Sequence, residues 1–243
     1  MSWKRFIAVF DPHGDKQDRP TVDKVIDFCS TWKPHLRIHG GDNWDYRPLR
    51  SKASDDERRE SMSKDYHQGS EFLHRLKPTH FLRGNHDERL WKLLEADHGV
   101  DSDYAAKIVG EIISDLDKMG CKMLPYHYRK GVLSIGKLKV IHGYYAGLHS
   151  ARQHALVYGN CLFGHIHSIS EATIARLKTE TAHACGCLCQ TDLGYHEAKP
   201  GTLMWEHGFI YGVTNTRTGD YHYWQARKCN GKWMLPSDII QTG

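Results

Sequence analysis

Residues 6–15 read FIAVFDPHGD: five apolar or small residues run directly into Asp11, Pro12 and His13. A short apolar run of this length reads as a buried strand. The polar residues then fall where that strand ends and a loop begins. The change recurs along the chain in IHGGDNWD (38–45), LRGNHDE (82–88), KVIHGYY (139–145) and LFGHIHS (162–168). Four of the five blocks follow a short apolar run. Open α/β sheets place their ligand sites outside the carboxyl ends of their strands. The repeated strand-to-polar-turn unit therefore points to an α/β fold with one composite site.

The residues at these turns are Asp11, His13, Asp42, Asn85, His86, His142, His165 and His167. Aspartate, asparagine and histidine supply the oxygen and nitrogen ligands that borderline divalent metals accept. Together they can hold two metals that share one carboxylate, an arrangement that hydrolyses phosphate esters. A lone histidine or a lone Gly-Asn-His turn carries little information; five blocks in one chain carry much more.

The blocks resemble the calcineurin-like metallophosphoesterase superfamily, whose pattern is D-x-H, G-D, G-N-H-(D/E), G-H or H-G, then G-H-x-H. The resemblance runs from Phe6 to Ser168, with all five blocks in the family's order. It implies a four-layer α/β/β/α sandwich with two central mixed β-sheets. It also implies that Asp11, His13 and His167 hold a first metal and that Asn85, His142 and His165 complete a second, with Asp42 bridging. The implied cofactors are two divalent ions, Mn²⁺ first, with Zn²⁺, Fe²⁺, Ni²⁺ and Mg²⁺ as alternatives. A water between two such ions loses a proton near neutral pH, and the hydroxide attacks phosphorus. His86 takes the family's general-acid role. Asp45 or Asp87 orients it, and a carboxylate partner is expected to keep it protonated.

Arg47, Arg50, Arg83 and Arg89 flank the ligand blocks, and guanidinium groups suit phosphate oxygens. Arg47 and Arg83 are the candidates for substrate binding. Protein Ser/Thr phosphatases of the superfamily carry arginine directly after the aspartate matching Asp45. Here Tyr46 stands in that place and Arg47 comes one residue late. That departure weighs against a protein phosphatase. Asp15 and Asp18 read as loop-surface residues. The tail from Cys185 to Val213 further resembles small single-domain phosphoesterases of bacteriophage and bacterial genomes.

The chain has 243 residues, a formal net charge of +4, 18 histidines and seven cysteines. That length suffices for one α/β domain with a substantial core, and a single domain over 1–243 is expected. No apolar stretch is long enough to span a bilayer, and MSWKRFIAVF lacks a signal-peptide pattern. A cytoplasmic protein is expected, in the host cytoplasm if phage-encoded, with no membrane partner. The slight positive charge permits a phosphorylated small-molecule or nucleotide substrate and does not indicate a dedicated nucleic-acid binder. A DNA nuclease and a non-catalytic scaffold remain as rival readings. The sequence leaves the oligomeric state open.

Helical spacing marks 21–32, which Pro34 stops, a charged stretch over 52–76, a segment at 88–96, one at 104–119 closed by Gly120, and one near 149–158. From about residue 122 short β-type runs take over, separated by hairpin-type turns. A βα-rich first half and a β-rich second half predict two sheets packed face to face with helices outside. The charges of 50–66 read as a solvated helix face or as a cap over the substrate. Cys185, Cys187 and Cys189 alternate, which on one strand puts all three on one face. They read as reduced, buried residues that bind no metal. The aromatics Tyr195, Trp205, Tyr211, Tyr221, Tyr223, Trp224 and Trp233 read as strand residues, with base stacking as the functional alternative.

Overall fold

The computed structural model describes residues 2–95, 99–175, 177–192 and 204–235. Among them are two mixed β-sheets and six α-helices. The first sheet has seven strands in the order β12-β11-β10-β1-β2-β3-β4. Its parallel part is β1 (Trp3–Val9), β2 (Leu36–His39), β3 (His80–Leu82) and β4 (Lys122–Leu124). The second sheet has five strands in the order β5-β6-β7-β9-β8. Here β6 (Leu138–Val140), β7 (Cys161–Phe163) and β9 (Glu180–Cys185) run parallel, while β5 (Leu133–Ile135) and β8 (Ile169–Ile174) are antiparallel edges.

β1 explains why the sheets stack. Phe6, Ala8 and Phe10 pack with Leu138, Val140 and Leu162 of the second sheet. The alternate residues Ile7 and Val9 pack on the opposite face with Val22, Val25 and Phe72 of the helices. A strand buried on both faces reads as a continuous apolar run, as residues 6–10 do. α6 (Ser150–Tyr158) covers the outer face of the second sheet through Ala151, Ala155 and Tyr158. Helix, sheet, sheet and helix thus form four layers, as expected.

The β-rich second half does not build only the second sheet. β10 (Gly208–Asn215), β11 (Tyr221–Cys229) and β12 (Lys232–Trp233) return to the first sheet, where β10 pairs antiparallel with β1, Ile7 facing Tyr211. Hairpin spacing announces the strands but not the sheet that receives them.

The helices follow local chemistry. α1 (Arg19–Trp32) starts at Asp18, whose side chain accepts the Thr21 N–H at 2.9 Å, and stops at Lys33 in a left-handed conformation before Pro34. Such caps satisfy the free N–H groups of the first turn. Asp18 is therefore a helix cap, not simply a surface residue. The charged stretch 52–76 is broken into α2 (Asp55–Arg58) and α3 (Met62–Leu76). Ser54 and Glu57 form a reciprocal capping box, and Ser61 caps α3. α4 spans Glu88–Glu95 and α5 spans Val100–Lys118.

The cysteines also depart from expectation. Cys185 ends β9, and Gly186 at φ 79° breaks the strand. Cys187 and Cys189 lie beyond it, bridged to His207 and Gln17. All three are fully buried, and all seven cysteines are free thiols. Tyr211 stacks with Trp224 beside Trp32 at the first sheet's outer face, and Trp233 packs on Phe209. Tyr221 and Tyr223 pack against the core between the sheets. Tyr195 lies outside the described residues, as does part of the tail from Cys185 to Val213.

Candidate metal centre

The five sequence blocks meet at one place, because each follows the carboxyl end of a parallel strand. Asp11 and His13 follow β1, Asp42 follows β2, and Asn85 and His86 follow β3. His142 follows β6 and His165 and His167 follow β7, so both sheets contribute. The loops are tied together by backbone hydrogen bonds: Asp11 N–H to Gly41 O, His13 N–H to Asp42 O and Gly164 N–H to His142 O.

Asp42 is the hub. Its Oδ2 lies 3.3 Å from His142 Nε2, 3.9 Å from His13 Nε2 and 3.9 Å from His86 Nε2. Its Oδ1 accepts the His86 backbone N–H at 2.8 Å. On one side Asp11, His13 and Asp42 form a group of converging ligand atoms, and His13 Nε2 lies 3.0 Å from His167 Nε2. On the other side Asp42, His142 and His165 converge, with Asn85 Oδ1 3.0 Å from His142 Nε2. The structure thus brings these seven residues together around Asp42.

The donor set fits divalent cations on a further count. Asp11 Oδ1 is buried without a hydrogen-bond partner, whereas its Oδ2 accepts the His165 N–H at 2.8 Å. An unpartnered buried carboxylate oxygen is costly unless a cation neutralises it. Space is reserved for these carboxylates: a Cβ on Gly84 would stand 2.0 Å from Asp42 Oδ1, and one on Gly164 would stand 2.5 Å from Asp11 Oδ2. Asp11, His13, Asp42, His165 and His167 all adopt left-handed backbone, with φ between 51° and 68°. Such conformations cost on the order of 1 kcal/mol each and cluster at functional sites.

The electrostatics show what the cluster does with its charge. Burial works against a charged His13, yet Asp45, Asp42 and Asp11 outweigh it and raise its pKa to about 9. His142 is likewise raised to about 9 against burial, chiefly by Asp42. Asp42 is held well below the usual carboxylate range, mainly by His142 against the opposing effect of burial. Burial raises Asp11 to about 7 and lowers His165 to about 4. With no metal bound, His13 and His142 thus favour the charged form beside Asp42.

His86 sits at the edge of the cluster, against Asp45. Its Nδ1 is 2.5 Å from Asp45 Oδ1, and its side chain is 25% exposed, so it reaches the open side of the cluster. Burial nevertheless lowers its pKa, against the pull of Asp42 and Asp45. The carboxylate aims the ring, while burial disfavours its charged form. Asp87 does not serve this role. Its two oxygens accept the Trp44 and Gly84 N–H groups, which shapes the loop.

Arg47 is not available to a substrate. It is 3% exposed and pairs with Asp45 and Asp15, each at 2.6 Å, and with Glu60. Asp15, expected at the surface, is one of its partners. Part of the charged stretch, Glu60, therefore points inward at Arg47. Arg83 stacks 4.5 Å over Trp91 and lies 3.3 Å from Glu88, yet its Nε and Nη1 have no hydrogen-bond partner.

Two residues support Asp45 in a role that the sequence did not assign to them. Arg89 Nη1 donates to the Asp45 carbonyl at 2.5 Å and lies 3.2 Å from Oδ1, so Asp45 is gripped from a second side. Asp65 accepts the backbone N–H groups of Asp45 and Tyr46. Of the C-terminal aromatics named above, Trp205 reaches the cluster, with its ring 4.2 Å from that of His167.

No helix of the described residues is long and apolar enough to cross a membrane. No protein-family model matches the sequence. No curated protein matches it either. Among solved structures, the chain is similar to the nuclease MPE of Pseudomonas putida at 12% identity, with a TM-score of 0.39 over 76% of this chain and 75% of that one. It is similar to a phosphatase from Mycoplasma pneumoniae at 10% identity, with a TM-score of 0.44 over 99% and 98% of the two chains. It is similar to Vps29 of Entamoeba histolytica complexed with Zn²⁺ at 12% identity, with a TM-score of 0.49 over 95% of this chain and 96% of that one.

Proposed function

We propose that the chain is a metal-dependent phosphoesterase of the calcineurin-like superfamily, acting on phosphate mono- or diesters of small molecules or nucleotides. The observation that carries this reading is the convergence of seven ligand-type residues from five strand ends around the Asp42 carboxylate, with Asp11 Oδ1 buried and without a hydrogen-bond partner. Asp11, His13 and His167 would hold one divalent cation, Asn85, His142 and His165 the other, and Asp42 both. Mn²⁺ is the first expectation for each. Bound there, such ions supply positive charge for phosphate oxygens and lower the pKa of water toward neutrality.

The chain's own residues supply the rest. Neutral Asn85 adds an oxygen ligand without adding negative charge, which keeps the site receptive to an anion. His86, aimed by Asp45, delivers a proton to the departing ester oxygen. Burial lowers the His86 pKa, so its protonated form gives up the proton more readily. Arg89 and Arg47 hold Asp45 in place. Arg83, stacked over Trp91 and 3.3 Å from Glu88, is the remaining arginine of the two named for substrate binding.

The test is a hydrolysis screen over phosphate mono- and diesters with Mn²⁺, Zn²⁺, Ni²⁺ and Mg²⁺, each with an EDTA control. Turnover that needs metal supports the proposal. Absence of turnover with every metal, or full turnover in EDTA, refutes it.

A further inference from the structure

We propose that Cys189 is a positioning residue for His167, its sulfur accepting the Nδ1–H so that Nε2 is presented to a divalent cation. This rests on the metal centre proposed above.

The two ring nitrogens of His167 face opposite ways. Nε2 lies 3.0 Å from His13 Nε2, inside the ligand cluster. Nδ1 lies 3.7 Å from Cys189 Sγ. His167 is 7% exposed and Cys189 is fully buried, so water does not readily replace the sulfur. A neutral imidazole carries one ring proton, and a cation on Nε2 requires it on Nδ1. That proton then needs an acceptor, which in metal sites is usually a carboxylate, a backbone carbonyl or water. His142 shows the usual arrangement, its Nδ1 lying 3.0 Å from the Gly40 carbonyl while Nε2 faces Asp42. His167 turns to a thiol instead. Sulfur is a weak acceptor with long bonds, which suits the 3.7 Å spacing.

The sulfur is also held in place. The Cys189 carbonyl accepts from His207 Nε2 at 2.9 Å, and Cys189 forms a β-bridge with Gln17. Gln190 N–H bonds to the Lys16 carbonyl at 2.8 Å, tying this segment to the turn that follows His13. The Trp205 ring packs edge-on to His167 at 64° and limits its rotation. The segment after β9 therefore braces His167 from behind.

The competing arrangement has Cys189 as a direct thiolate ligand, since His13, His167 and Cys189 also bring their ligand atoms within 4.8 Å of one another. Titration of the full chain with Co²⁺, followed by calorimetry and absorption, separates the two. We expect wild type to bind Co²⁺ without an intense thiolate charge-transfer band in the near ultraviolet. Cys189→Ala should weaken affinity about 10-fold, and Cys189→Ser should restore part of the loss. In Zn²⁺-loaded wild type, long-range ¹⁵N–¹H NMR correlations should place the proton on His167 Nδ1, a measurement that needs no variant. Equal affinity in Cys189→Ala, a charge-transfer band lost in that variant, or a proton-free Nδ1 would each overturn the inference while leaving the metal centre intact. A wild-type chain that takes up neither ion overturns the metal centre, and the inference with it.

Discussion

Replacing Arg47 with alanine separates a structural arginine from a substrate-binding one. The guanidinium is 3% exposed and meets Asp45, Asp15 and Glu60. The side chain of Asp45 is 2% exposed and that of Asp15 is 9% exposed, so both would be left as buried charges facing a cavity. Removing one partner of a buried pair costs about 3–5 kcal/mol. Glu60 is 28% exposed and adds at most about 1 kcal/mol. The first figure sets the scale, because Arg89 and His86 still hold Asp45. For a chain of this size each 1 kcal/mol lowers Tm by roughly 2–4 °C. Arg47→Ala should therefore melt about 6–20 °C below wild type by calorimetry. Below its melting range, KM for a phosphate ester should stay within about twofold, because the guanidinium never touches substrate. A variant that melts with wild type and raises KM tenfold would show that Arg47 turns outward to the phosphate.

Asp42→Asn should lose metal and turnover most completely, since both halves of the site lean on that carboxylate; full metal content by elemental analysis would contradict this. EDTA should abolish hydrolysis and Mn²⁺ should restore it, read as product release before and after readdition. His86→Ala should keep its metal and lose roughly 10²–10⁴-fold in turnover, with a smaller loss for nitrophenyl esters, which need little protonation on leaving; equal losses for good and poor leaving groups would remove His86 from that role. His13 and His142, ordinarily near 6.5 and raised to about 9, stabilise the fold fully below pH 6.5 and lose that contribution as pH rises through 9. Asp11 and Asp87, raised from 3.8 to about 7, act in the same direction between those values. In EDTA the Tm should therefore fall as pH rises from 6.5 to 9, and a flat or rising profile would refute the paired-charge reading.

The site was more legible than its supports. Asp11, His13, Asp42, Asn85, His142, His165 and His167 stand in five short motifs, four of them after an apolar run, so the strand ends account for most of their convergence. Arg47 misleads in sequence because its partners Asp15 and Glu60 lie 32 and 13 residues away and only tertiary packing delivers them. Asp45 over Asp87 could not be decided from spacing, since both adjoin ligand blocks; the loop's own N–H groups claim Asp87. Cys185 to Cys189 alternate like a strand, and Gly186 at positive φ was the residue that argued otherwise. The return of β10 beside β1 had no local signal, because antiparallel pairing across two hundred residues leaves no spacing to read.

The left-handed backbone at five of the seven ligands restricts what evolution or design can write there. Glycine, asparagine, aspartate and histidine tolerate that region best. Glutamate and cysteine are common metal ligands elsewhere, but they are not among these. The choice of aspartate and histidine at 11, 13, 42, 165 and 167 thus answers to the chain's geometry as well as to the ion. Asn85 and His142 are free of that constraint, since neither has positive φ. Attempts to retune the centre toward a softer or harder metal have their widest vocabulary at those two positions.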